Sequence, residues 1–126
     1  MNINSKEYWD ERFDTNWIDY AGMLPQSLVN DIREKEYSVC DMGCALGEAV
    51  PVFCRKFAVD VDGMDFSEEA VKKAAETYPE HKFWVGDLTK LNAEKTYDVI
   101  ICSNVLEHFV NPWKIAKNLS EVSNKY

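Results

Sequence analysis

The sequence predicts an α/β fold, a doubly wound sheet of about four parallel strands with helices on both faces. Three observations predict it. Apolar runs at 37–42, 58–64, 82–86 and 97–103 alternate with helix-like stretches at 47–57 and 68–78. Such alternation with short turns means parallel strands joined by right-handed crossovers. The first run passes straight into a glycine turn, VCDMGCALGE, of the kind that leads from a strand into a helix and holds a ligand there. The fourth, DVIIC, is apolar at successive positions, which suits a strand buried on both faces.

In chain order, residues 5–14 (SKEYWDERFD) read as a short helix and 24–35 as another. Pro25 falls in the first turn of the second, where a missing N–H costs nothing. Trp9, Phe13, Trp17 and Tyr20 lie near helical spacing and read as a packing stripe rather than a clamp on a substrate. Residues 37–42 (YSVCDM) form the first strand, and a helix follows over 47–57 with Pro51 early enough to be tolerated. Residues 58–64 (AVDVDGM) form the second strand. Ser67 then caps a helix over 68–78, with Glu68 and Glu69 in its first turn and Pro79 beyond its end. Residues 82–86 (KFWVG) and 97–103 (YDVIICS) supply the third and fourth strands, and the connection between them, 87–96, is short for a full helix. A last helical region over 104–121 is interrupted near Asn111-Pro112, as proline requires. No repeat or linker divides the chain, so one domain is expected over 1–126, a helical region at 1–36 followed by the core at 37–126.

Charge and cysteine usage narrow the function classes. The formal net charge of -8 argues against a surface built to neutralise nucleic-acid phosphates, so no nucleic-acid partner is expected. No charged-then-apolar leader opens the sequence, and the longest apolar run, Val99 to Cys102, is a strand at most; no membrane association is expected. The four cysteines, Cys40, Cys44, Cys54 and Cys102, form no CxxC pair, and His81 and His108 do not sit at zinc-ligand spacing. They read as reduced, buried thiols of a cytoplasmic protein, and no metal site is expected.

In open α/β sheets ligands bind beyond the carboxyl ends of the strands. The glycine turn lies at such an end, and its charge identifies what it does not hold. A dinucleotide fingerprint, G-x-G-x-x-G/A, needs small residues where this chain has Ala45 and then the bulky acid Glu48. Glu48 and Asp41 also place negative charge where pyrophosphate needs positive field, although first-turn acids such as Glu48 stabilise helices with or without a ligand. No Gly-Lys-Ser/Thr follows, which excludes a phosphate-loop ATPase. The turn suits a ligand with a cationic group. Asp65 ends the second strand a little over 20 residues beyond the turn, where nucleotide-binding units offer a carboxylate to ribose hydroxyls. A nucleoside with a cationic, amino-acid-like tail meets these demands, and S-adenosylmethionine is such a molecule.

Four segments in order, VCDMGCALGE, VDGMDFSEEAVKKA, FWVGDLTKL and YDVIICSNVLEHFVNP, resemble the class I S-adenosylmethionine-dependent methyltransferases, in the group similar to quinone-biosynthesis and small-molecule enzymes. KEYWDERF resembles the helix that many members place before the core. The resemblance implies a Rossmann-like fold and a small-molecule methyl acceptor. It implies that Asp41, Gly43 and Gly47 surround the methionyl part of the cofactor, with Cys44 and Ala45 among the cofactor-binding positions of the same turn. Asp65 would bind the ribose and Phe66 would lie against an adenine face. Asp87, with Leu88 beside it, would receive the adenine amino group, while Ser103 and Asn104 would border the methyl group. Ala45 departs from the family's usual central glycine.

Blander roles stand beside several of these. Asp65 also suits a solvated strand end, Asp87 a turn or helix cap, and the Glu107-His108 pair the start of a helix rather than a general base at His108. Members of the family continue with a further turn and three more strands to complete a seven-stranded sheet, whereas this sequence stops at SEVSNKY. The expectation is the cofactor half of that fold, with the fourth strand as an exposed edge. Three situations follow: a fragment, a homodimer through that edge, or a partner chain that completes the sheet. A module that binds the cofactor without turnover is the alternative to an enzyme.

Overall fold

The structure, a computed structural model, describes residues 24–92, 94–103 and 105–126. The helix expected over 5–14 and the stripe of Trp9, Phe13, Trp17 and Tyr20 lie outside the described residues. Helix α1 (Gln26–Lys35) leads into strand β1 (Val39–Met42) and helix α2 (Ala49–Phe57). Strand β2 (Val61–Asp65), helix α3 (Glu68–Thr77) and strand β3 (Phe83–Val85) follow. Strand β4 (Val99–Ile101), a 3-10 turn (Leu106–His108) and helix α4 (Pro112–Val122) complete the order.

The four strands form one sheet in the order β3-β2-β1-β4, and every pairing is parallel. Strand β1 is therefore interior, and all four of its residues are buried. Side chains alternate across a strand, which splits the core in two. On one face, Val39, Val61 and Val99 meet Val29 and Ile32 of α1 and Val50, Phe53 and Phe57 of α2. On the other, Cys40, Met42 and Met64 meet Ile115 and Val122 of α4. The expected α/β class, with helices on both faces of a parallel sheet, is what forms.

Differences from expectation have local causes. Strand β2 begins at Val61 because Ala58 terminates α2 in a left-handed conformation, φ 55°, its N–H donating to Cys54 O. The alternating stretch at 58–60 is thus cap and turn. The β3–β4 connection carries no helix among its described residues. Trp84, Leu88, Leu91 and Tyr97 cover the sheet there instead. The Tyr97 hydroxyl donates to Asp62 at 2.8 Å and accepts from the Trp84 indole at 3.1 Å. Lys95 Nζ lies 3.9 Å from the Trp84 ring centroid.

The expected unpaired edge on β4 is corrected. Tyr97 N–H donates to Val122 O, Asn124 N–H to Tyr97 O, Lys125 and Tyr126 N–H to Asp98 O, and Ile100 N–H to Tyr126 O. The segment that leaves α4 thus lies parallel to β4, bridging at Tyr97 and Ser123. Main-chain groups at an edge need partners, and residues 122–126 supply them from Tyr97 to Ile100. The Tyr126 hydroxyl ties this segment to α1 through Asp31 at 2.7 Å. A second copy pairing along the same groups would have to displace it.

Candidate functional site

The glycine turn stands at the carboxyl end of β1, and its shape is set by three left-handed residues: Gly43 (φ 92°), Ala45 (φ 50°) and Gly47 (φ 81°). Close approach explains the two glycines. A Cβ on Gly43 would lie 2.5 Å from a methyl of Val105, and one on Gly47 would lie 2.7 Å from the Phe83 ring. Ala45 takes the left-handed conformation with its Cβ present, at a strain of about 1–2 kcal/mol.

Asp65 holds the turn in place. Its Oδ2 accepts the Ala45 N–H at 2.9 Å and its Oδ1 accepts the Ser67 N–H at 3.0 Å. Its carbonyl accepts from Gly86, while Met64 O accepts from both Gly43 and Cys44. The end of β2 therefore fastens the glycine turn, the start of α3 and the loop after β3. Ser67 Oγ accepts the Ala70 N–H, capping α3 as the sequence predicts. Asp65 is thus not merely a solvated strand-end acid: half-buried at the end of β2, it orders the backbone of the turn and of the start of α3.

Among the described residues Asp41 is the one buried charged or polar residue, 5% exposed. No hydrogen bond or ion pair reaches its carboxyl among the described residues. Burial, and then the nearby Asp65, push it up to about 7 from an ordinary 3.8. Its oxygens are not fully sealed, since every sealed side-chain oxygen or nitrogen among the described residues has a partner. The surrounding thiols are held protonated: burial and then Asp41 raise Cys44, and push Cys102 up to about 12.

The remaining expected residues divide. Phe66 stands 79% exposed beside Asp65, a large apolar face with no core role. Asp87 serves its own loop, Oδ1 accepting the Thr89 N–H at 2.8 Å and the Thr89 hydroxyl at 2.6 Å. Those bonds, the hydroxyl first, hold its carboxyl below the ordinary value; among the described residues Oδ2 accepts no hydrogen bond. The Leu88 side chain belongs to the core beneath α4. Ser103 is exposed just beyond β4, and Asn104 lies outside the described residues. His108 sits in the 3-10 turn with Nε2 3.7 Å from Glu107 Oε1, its side chain 34% exposed. Among the described residues no group of three potential ligands could hold a metal ion.

Sequence reading missed Val105, which roofs Gly43, and Phe83, which bounds Gly47. Only the glycines themselves hinted that something approaches closely.

A family model described as a methyltransferase domain matches residues 9–125. The chain belongs to the methyltransferase-domain family. Over 97 residues this methyltransferase domain is 31% identical to the ubiquinone biosynthesis O-methyltransferase of Rickettsia conorii, an alignment covering 75% of the chain and 33% of that protein. The chain spans about a third of the length of the curated relatives it matches. Among solved structures, the TehB-like SAM-dependent methyltransferase of Corynebacterium glutamicum superposes with a TM-score of 0.69 at 20% identity, covering 94% of this chain and 64% of that one. SAM-bound CalS10 of Micromonospora echinaspora, an amino pentose methyltransferase, gives 0.71 at 17% identity, covering 98% and 54%. These two likenesses concern the fold.

Proposed function

We propose that this methyltransferase domain binds S-adenosylmethionine at the carboxyl ends of β1 and β2 and directs its methyl group to a small-molecule acceptor. The observation that carries the reading is Asp41: a buried carboxyl at a glycine turn, faced by a second acid and by no cation among the described residues. Such a site suits a cationic group, and the turn is held tight by two left-handed glycines, with Val105 and Phe83 filling the space where a side chain would stand. The bound cofactor would supply a methyl group on sulfur that is already an activated leaving group.

The chain's own residues then bind and orient. Asp41 would face the cationic amino-acid end, Asp65 the ribose, Phe66 one adenine face and Asp87 Oδ2 the adenine amino group. Cys44, Ala45 and Leu88 would contribute backbone and shape, while Ser103 and Asn104 would border the transferred methyl. Alignment of acceptor and methyl with water excluded is the main requirement for such a displacement. A base is required only where the acceptor is a hydroxyl or amine that holds its proton, and His108, whose Nε2 lies 3.7 Å from Glu107 Oε1, would be that base. The four cysteines are free thiols, which fits a reducing, cytoplasmic setting. No helix among the described residues is long and apolar enough to cross a membrane.

A non-catalytic cofactor-binding module is the second reading, favoured by the small share of the curated relatives' length that the chain spans. The test is release of S-adenosylhomocysteine from S-adenosylmethionine across a panel of phenols, amines and thiols, alongside binding. Product formed by the wild type and lost in His108→Ala, with cofactor affinity kept, supports the enzyme and the base together. Tight binding with no product from any acceptor supports the module.

A further inference from the structure

Resting on the cofactor reading above, we infer that Asp41 is the residue that makes binding at this turn specific for a cationic ligand, and that it does so by exchanging a proton: the empty site holds Asp41 as the neutral acid, and binding expels that proton to solvent.

The geometry leads there. Asp41 lies on the interior strand of the sheet, paired with Gly63 of β2 on one side and Ile101 of β4 on the other. It is 5% exposed and accepts no hydrogen bond from the described residues. An ionised carboxyl so placed, without donor or counter-ion, is costly. The groups that face it offer no relief. Asp65 at the end of β2 acts on it as a like charge. Cys40 on β1, Cys44 in the turn and Cys102 beyond β4 are thiols that burial holds protonated. No basic side chain among the described residues contributes. The acidic form near neutral pH is the consistent state of the empty domain, and burial lifting the group to about 7 agrees.

An arriving ammonium reverses the balance, since an opposite charge within ~4–6 Å favours the carboxylate. The exchange balances: neutral acid and cationic ligand give a carboxylate–cation pair and one proton in solution. Analogues whose amino-acid end lacks the ammonium gain nothing from Asp41 and leave its proton in place. The turn would thereby read ligand charge, beyond the shape set by Gly43 and Gly47.

The experiment is calorimetric titration of the full chain with S-adenosylhomocysteine at pH 6, 7 and 8. Each titration is run in phosphate and in Tris, whose ionisation heats differ widely. Release approaching one proton at pH 6 and falling toward none at pH 8 is expected, with affinity weakening severalfold from pH 8 to pH 6. Asp41→Asn, if folded by circular dichroism, should abolish that release. Should Asp41→Asn not fold, the wild-type pH series decides alone. Binding with the same heat in both buffers at pH 6 and a flat affinity would overturn the proton exchange while leaving the cofactor reading intact. No binding at any pH would overturn the cofactor reading itself, and this inference with it.

Discussion

Replacing Asp65 with alanine removes two structural hydrogen bonds and one ligand contact, and the losses read out separately. Oδ2 holds the Ala45 amide at 2.9 Å and Oδ1 holds the Ser67 amide at 3.0 Å. Hydrogen bonds to a charged group contribute about 1.5–3 kcal/mol each. Asp65 is only half-buried, so the low end applies, about 3 kcal/mol for the pair. Removing a like charge beside Asp41 offsets part of that loss. A net loss of about 2 kcal/mol lowers the melting temperature of a domain this size by roughly 5–10 °C. Thermal unfolding followed by circular dichroism without ligand reads this first loss. Titration with S-adenosylhomocysteine below the melting range reads the second, expected to exceed a hundredfold in affinity if the carboxylate takes both ribose hydroxyls. Asp65→Asn keeps one acceptor oxygen and should fall between wild type and alanine in stability while binding nearly as poorly as alanine. An alanine variant melting within about 2 °C of wild type would refute the backbone role. Unchanged affinity would refute the placement of the ribose.

Gly47→Ala combines left-handed strain at φ 81° with a Cβ 2.7 Å from the Phe83 ring; a loss of about 2–4 kcal/mol is expected in urea unfolding. Tyr97→Phe strips the donor from Asp62 and the acceptor from the Trp84 indole, and should cost about 1–3 kcal/mol by the same measurement. In the empty domain Asp41 is raised to about 7 from 3.8, so the folded state holds a proton that the unfolded state gives up. That group's contribution is full below about pH 4 and is withdrawn as pH rises to about 7, by up to roughly 4 kcal/mol. Urea midpoints at pH 5 and pH 7.5 should therefore differ less in Asp41→Asn than in wild type.

How much of this was legible in the sequence follows the range of each interaction. The helix cap at Ser67 and the strand-to-helix turn at Gly43 and Gly47 are local, and local spacing reveals them. Ala58 ends α2 in a left-handed conformation without the glycine that usually marks such an end, so residues 58–60 read as strand. The spacing between the turn and Asp65 pointed to a ligand, but not to the amide of Ala45 that the carboxylate also holds. Val105 over Gly43, and residues 122–126 along β4, depend on pairing between distant segments. Nothing in either segment alone announces its partner; the apolar run of β4 showed burial on both faces, and its outer edge was expected to be unpaired. The absence of a crossover helix before β4 was visible in the length of 87–96, whereas its replacement by Trp84, Tyr97 and Lys95 was not.

The most direct test of the cofactor site is calorimetric titration of the 126-residue chain with S-adenosylhomocysteine at pH 8, with NAD as control. One site of micromolar affinity with NAD silent is the expected result. Silence toward S-adenosylhomocysteine, or equal binding of NAD, would contradict the assignment of the acid-flanked turn to a cationic nucleoside.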